Sequence, residues 1–243
     1  MASDSMYQDT QYYQMLHASR CHDLAFYKSM AQLGGGPILD CGIGAGRVAI
    51  VLAQEGSAVT GVDSSAAMLQ TLEAQLRREP TDVRARVRGV LGDTRALELD
   101  QRFGTVLCPF NGIAHHHHLD ELGAFLTNVR AHLADNGLFA FDTLVPDPRL
   151  LLGTSSEIPW FRHPKTGLAC RCTEDIVYDP ATQVLRITAT IRHMEGDLPH
   201  EIRELRLRQL FPQETRLLLH HHGFEIERVD DLGDVLAYVC RAA

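Results

Sequence analysis

Two kinds of stretch alternate along the first 145 residues. Short continuous apolar runs are followed by longer segments in which apolar residues recur every three or four positions. The first kind reads as buried strand and the second as one-sided helix. Leu24, Phe26, Tyr27, Met30, Ala31 and Leu33 mark a helix over 23–33, closed by Gly34-Gly35-Gly36-Pro37. A strand at 38–40 leads to a helix over 48–54, and a second strand over 58–62 ends at Asp63. Ser64 is the expected cap of a helix over 65–78 that stops before Pro80. Strands follow at 83–90 and 103–108, then a helix over 120–133, a turn at Asn136-Gly137 and a strand over 138–143. Such βαβα alternation predicts a doubly wound, mainly parallel sheet with helices on both faces.

Past Pro148 the period changes to two. Residues 168–178, 183–194 and 201–209 predict three strands of an antiparallel meander, with Asp179-Pro180 and Gly196-Asp197 at its turns. Pro212 opens a helix over 213–222, Gly223 ends it, and 224–229 with 235–240 form a closing hairpin. The expected organisation is an N-terminal arm or lid (1–20), a ligand-binding domain (21–148 and 211–243), and an inserted β region (149–210) covering the substrate side of the crevice. In that cover Trp160, Phe161, Arg162 and His163 are placed to reach a substrate.

At 243 residues and 45 % hydrophobic, the chain is large enough for one full core. The net charge of −8, with Lys28 and Lys165 as the only lysines, argues against a nucleic-acid partner, because phosphate contacts need clustered cations. Without an apolar span of membrane length, and with a start Met1-Ala2-Ser3-Asp4 that lacks a signal pattern, the expectation is a cytoplasmic protein that binds no membrane. The six cysteines read as reduced thiols. Cys170-Arg171-Cys172 has no second pair with which to complete a zinc site.

The stretch Ile38-Leu39-Asp40-Cys41-Gly42-Ile43-Gly44-Ala45-Gly46-Arg47-Val48 is a strand, a glycine turn and a helix start, the arrangement of a nucleotide-type loop. Asp63 lies at the tip of the neighbouring strand, where a carboxylate can accept both ribose hydroxyls of an adenosine. Asp40 decides between ligands. Beside this loop it would repel a pyrophosphate, whereas it suits the ammonium of an amino-acid tail.

The D-x-G-x-G-x-G pattern from Asp40, Asp63 in V-D-S-S-A-A-M-L, and Gly92-Asp93 in L-G-D-T-R-A-L together resemble the class I S-adenosylmethionine-dependent methyltransferases, from about Asp23 to Val145. The resemblance implies a seven-stranded Rossmann-like sheet and S-adenosyl-L-methionine as cofactor. It assigns Asp40, Gly42, Gly44 and Gly46 to the methionine end, Asp63 to the ribose, and Gly92 with Asp93 to the adenine. Ser64 and Met68 then lie near the adenine face, Pro109 near the crevice, and Tyr27 near the methionine moiety.

Thirteen histidines, four of them consecutive from His115 and three from His220, raise the question of a metal. Adjacent imidazoles cannot all reach one ion, and no metal is assigned. The segment Phe110-Asn111-Gly112-Ile113-Ala114-His115 resembles that of N-methyltransferases acting on amino sugars and similar amines, which makes His115 the candidate general base. His116 or His117 would be its substitutes, and Asn111 would orient the substrate or the methionine portion. The expected activity is methyl transfer to nitrogen or oxygen of a small-molecule acceptor, with a homodimer possible. Two other readings stay open. One is a metal-assisted transfer using two or three histidines with Asp142 or Glu174; the other is a non-catalytic module that binds the cofactor and docks a partner.

Overall fold

The computed structural model describes residues 5–196 and 198–243. The readings made on Met1-Ala2-Ser3-Asp4 and on Asp197 lie outside the described residues. A 3-10 turn (Ser5–Gln8) and helix α1 (Thr10–His17) precede α2 (Leu24–Gly34), β1 (Ile38–Cys41), α3 (Arg47–Gln54) and β2 (Val59–Asp63). Next come α4 (Ala66–Leu76), α5 (Thr81–Ala85), β3 (Val87–Leu91), β4 (Phe103–Cys108), a 3-10 turn (Gly112–His115), α6 (Leu119–His132) and β5 (Leu133–Leu144). The remainder is α7 (Pro148–Leu151), β6 (Thr154–Arg162), β7 (Ala169–Asp179), β8 (Val184–His193), β9 (Glu201–Arg208), α8 (Pro212–His221), β10 (Phe224–Asp231) and β11 (Val235–Ala242).

Seven strands form one sheet in the order β10-β11-β5-β4-β1-β2-β3. β1 to β5 pair in parallel, and β11 runs antiparallel beside β5. Alternation along β1 divides the core: Ile38 faces the cluster with α2 and α3, and Leu39 faces the one with Phe125 and Val129 of α6. All four β1 residues are buried because strands and helices cover both faces. The order reverses between β1 and β4, so the crevice of an open α/β sheet falls at their C-terminal ends.

Two glycines shape that crevice without any need to touch a ligand. Gly46 caps α3 in the left-handed region (φ 88°), and a Cβ there would run into Leu72 of α4. A Cβ on Gly61 of β2 would collide with Ile43, whose side chain seats the loop on the sheet.

The second sheet is antiparallel, in the order β6-β7-β8-β9, and has four strands where three were expected. The strand the pattern missed is β6, an edge strand interrupted by Pro159 at a register shift between Ile158 and Phe161. Edge position and bulge both tolerate proline, but they erase the period-two signal. Three further boundaries differ. Residues 81–85 are helical, so β3 begins at Val87. Ser65, not Ser64, caps α4 by accepting from the Met68 N–H at 3.3 Å. β5 runs on through Asn136 and Gly137, with register Phe103↔Leu133 and then Thr105↔Leu138.

The arm is ordered. Met6 and Tyr12 are buried with Cys170, Cys172, Ala189 and Ile191 on one face of the small sheet. Among the described residues no helix is long and apolar enough to cross a membrane.

Candidate active site

Each predicted element ends where its side chain is needed. β2 ends on Asp63, whose Oδ2 accepts from the Gly44 N–H and whose Oδ1 accepts from the Ser65 N–H, both at 2.8 Å. One carboxylate therefore ties the glycine loop to the start of α4 and still has lone pairs to offer. Burial raises its pKa, against those two backbone hydrogen bonds.

A cavity of about 280 Å³ opens over these strand ends. Gly42, Gly44, Asp63, Ser64, Met68, Gly92, Asp93, Pro109, His115 and His117 all line it. A second cavity of about 390 Å³ shares Tyr13, Gly42, Gly44, Pro109 and Phe110 with the first and has Asp40 in its wall.

Asp40 is 1 % exposed and its Oδ1 has no hydrogen-bond partner. Burial pushes its pKa up to about 7; Arg47 opposes that shift and Asp63 adds to it. Across the same cavity, Arg20 presents a buried Nη2 that also lacks a partner. A carboxylate and a guanidinium, each buried with an unsatisfied atom, line one space. That donor set matches the ammonium and carboxylate of an amino-acid tail. Gly42 would admit such a ligand closely, since nothing lies within 4 Å of where its Cβ would be.

Around this space stands a network that carried no sequence signal. Arg47 pairs with fully buried Asp23 through two hydrogen bonds of 2.6 Å, and Arg20 Nε reaches Asp23 at 3.3 Å. Burial pushes Asp23 up, but its bonds to Arg47 outweigh that and lower its pKa overall. Arg20 also lies over the Phe110 ring, 4.3 Å from its centroid.

His115 is met by the arm. The Tyr7 hydroxyl lies 2.8 Å from His115 Nε2, and Tyr7 and Tyr13 both line the first cavity. The three tyrosines of the arm were visible in the sequence, but nothing local indicated that Tyr7 meets a residue 108 positions away. The other histidines of the run diverge. His116 is buried and stacked on Phe125, and burial brings its pKa down to about 4. His117 Nε2 lies 3.0 Å from the Arg206 carbonyl oxygen, and His118 is exposed at the start of α6.

Three predicted site residues stand apart from the cavities. Tyr27 is fully buried and donates its hydroxyl to Asp142 at 2.6 Å; it lines neither cavity, which corrects its placement near the methionine end. The cause is the pitch of α2, which turns this position toward β5. Asn111 also lies outside both linings. Its Oδ1 accepts from Thr143 Oγ1 at 3.2 Å and from the Leu144 N–H at 3.1 Å, so it braces β5 rather than facing a substrate. Gly46 serves helix packing, as described above. Asp93 does line the cavity, but its carboxylate carries Arg95, which holds its pKa down to about 2.

Trp160, Phe161 and Arg162 of the small sheet, with His163 just after β6, line neither cavity. Trp160 is 64 % exposed, while Phe161 and His163 pack on Tyr12. Asp9, His163 and Glu201 have metal-ligand spacing. Asp9 already holds Lys165 at 2.9 Å and Arg203 at 3.1 Å, and Arg203 also pairs with Glu201. Two acids balanced by two cations leave little charge for an ion. The Lys165 N–H donates to His163 Nδ1 (3.3 Å), while the buried Nε2 lies 3.4 Å from Glu201 Oε1 without a hydrogen bond. The group clamps the arm to the sheet.

With this geometry in view, the likenesses to known proteins are specific. The family described as "Methyltransferase domain" matches residues 38–137. The cypemycin N-terminal methyltransferase of Streptomyces sp is 32 % identical over 123 residues, which is 51 % of this chain and 48 % of that one. The match thus spans about half of that curated relative. Among solved structures, the CcbJ methyltransferase from Streptomyces caelestis superposes with a TM-score of 0.81 at 26 % identity, covering 93 % of this chain and 98 % of that one. S-adenosylmethionine-bound CalS10, an amino pentose methyltransferase from Micromonospora echinaspora, gives 0.75 at 18 % identity, covering 95 % of this chain and 96 % of its own, and shares the fold. Residues 38–137 thus match a methyltransferase domain, and the chain as a whole has the fold of the S-adenosylmethionine-dependent methyltransferases.

Proposed function

We propose that the protein transfers a methyl group from S-adenosyl-L-methionine to a nitrogen or oxygen of a small-molecule acceptor. The observation that carries this reading is the pair of buried, unsatisfied polar atoms in one cavity, Asp40 Oδ1 and Arg20 Nη2. Opposite charges in that arrangement fit the zwitterionic end of the cofactor and disfavour a pyrophosphate. The first cavity is lined by Asp63, which would take the ribose, and by Met68, Gly92 and Asp93, which would take the adenine.

The sulfonium of the bound cofactor supplies an activated methyl group. The chain's own residues have three tasks. Asp40 and Arg20 would fix the amino-acid tail, and so the orientation of the donor. The arm, clamped through Asp9 and Tyr12, would roof the site and exclude water. The Tyr7–His115 pair is the candidate proton acceptor, with the acceptor's N–H or O–H proton passing to the phenol–imidazole pair. His116 is a poor substitute, because it is buried against Phe125 and has its pKa lowered.

Titration with S-adenosylhomocysteine tests the cofactor site. Micromolar binding by wild type, weakened tenfold or more in Asp40→Asn, is the expected result. Absence of heat from folded wild-type protein would refute it. Turnover assays with amino-sugar, peptide N-terminal and hydroxyl acceptors then define the acceptor class.

A further inference from the structure

Residues 110 and 111, just past β4, both have φ of 57°, although neither is glycine. Left-handed backbone is costly for most residues with a Cβ, least so for asparagine and most so for a bulky ring. Two such residues in succession need an external hold, and the hold lies on the next strand. Asp142 of β5, fully buried, accepts from the Phe110 N–H through Oδ2 at 2.8 Å and from the Asn111 N–H through Oδ1 at 2.5 Å. Tyr27 donates to the same Oδ2 at 2.6 Å. Successive N–H groups converging on an anion form a nest of the kind that usually captures a ligand anion, and here a side chain of the protein fills it.

Asp142 itself lies outside both cavities, whereas what it holds lies inside them. Phe110 lines both cavities and is the surface on which the arm settles. The His17 ring meets it in an edge-on arrangement with centroids 4.8 Å apart, the Tyr13 centroid lies 6.4 Å away, and the Arg20 guanidinium covers its face.

We propose that Asp142 is a positioning residue for methyl transfer: by locking residues 110–111 in left-handed backbone it presents the Phe110 ring that seats Arg20 and the arm. This rests on the reading of the site as a methyl-transfer centre. With the carboxylate lost, residues 110–111 relax toward ordinary backbone, Phe110 turns away, and the arm that brings Tyr7 to His115 loses its seat.

Asp142→Asn tests the lock, because one amide oxygen cannot replace two carboxylate oxygens and the NH2 group then faces a donor. The expected result is a fall in kcat of tenfold or more, with a loss of S-adenosylhomocysteine affinity smaller than that of Asp40→Asn, since Arg20 loses its seat on Phe110 while Asp40 and Asp63 stay in place. Adding Asn111→Gly, which adopts left-handed backbone without help, should recover at least threefold of the lost turnover. Turnover within twofold of wild type in folded Asp142→Asn, or no recovery from the glycine, overturns the proposal. If the variant does not fold, amide exchange in the wild type decides instead. The Phe110 and Asn111 protons should exchange at least a hundredfold more slowly than exposed loop amides, and unprotected exchange overturns the lock. That measurement needs no turnover, so it separates failure of the lock from failure of the methyl-transfer reading.

Discussion

If Asp40 receives the cofactor's ammonium, cofactor affinity must depend on pH in a window that an exposed carboxylate would not show. Asp40 is buried among apolar strands, and that burial moves its pKa up to about 7 in the free protein. An ammonium seated against it favours the ionised form, so binding releases the proton wherever the free carboxyl still holds one. For a group of that pKa, affinity falls about tenfold per pH unit below the transition, close to a hundredfold at pH 5, or roughly 2.7 kcal/mol. At pH 6 about 0.9 proton should leave per ligand bound. Calorimetric titration of S-adenosylhomocysteine between pH 5 and pH 8, in two buffers of different ionisation heat, reads both quantities. His17, in the same cavity, has its pKa brought down to about 4 by burial and by Arg20 and Arg47, so it stays neutral through most of the window. Asp40→Asn should bind weakly and without this pH dependence. The sign for folding runs the other way. A raised carboxyl pKa stabilises the free protein most below about pH 4, and this contribution is lost as pH rises through about 7. Affinity flat within twofold from pH 5 to pH 8, with no proton released, would refute the assignment of Asp40.

Other expectations follow from the same geometry. His115→Ala should lower kcat by about 100-fold and Tyr7→Phe by about tenfold, with cofactor affinity nearly unchanged; unaltered pH–rate profiles in both would exclude the pair as the proton acceptor. Asp23→Ala strands Arg47 and part of Arg20 without their buried counter-charge, at a cost of about 3–5 kcal/mol in denaturant unfolding. Because the Asp23 pKa is lowered, its wild-type contribution is present above the unfolded carboxylate range and is lost as pH falls through its folded value. Gly61→Ala drives a methyl into Ile43 and should cost about 1–3 kcal/mol, read as a lower Tm; an unchanged Tm would show that the loop has room to shift.

The parts legible in the sequence are those whose signal is local. Strand Phe103–Cys108 has the predicted limits, and Asp63 closes its strand as predicted, because a buried parallel strand is a short apolar run bounded by polar turns. β6 was missed for the opposite reason. Its serines and Pro159 suit an edge and leave no alternation to read. The site divides in the same way. Gly42, Gly44, Asp63, Gly92 and Asp93 line a cavity as expected, whereas Tyr27, Asn111 and Gly46 sit behind it, where helix pitch, a side-chain brace and helix packing took them.

By itself, the sequence determined the βαβ alternation, the glycine turn and the two carboxylates flanking it, because strand period, turn chemistry and the sign of a charge beside a loop are all written within about 25 residues. Only the tertiary structure decided which distant groups meet. It brought Tyr7 to His115, Arg47 to Asp23, and Tyr27 with the Phe110–Asn111 backbone to Asp142. A hydrogen bond or ion pair between side chains far apart in the chain imposes no period and no local preference on either segment. Its existence is fixed by how the sheets and the arm pack.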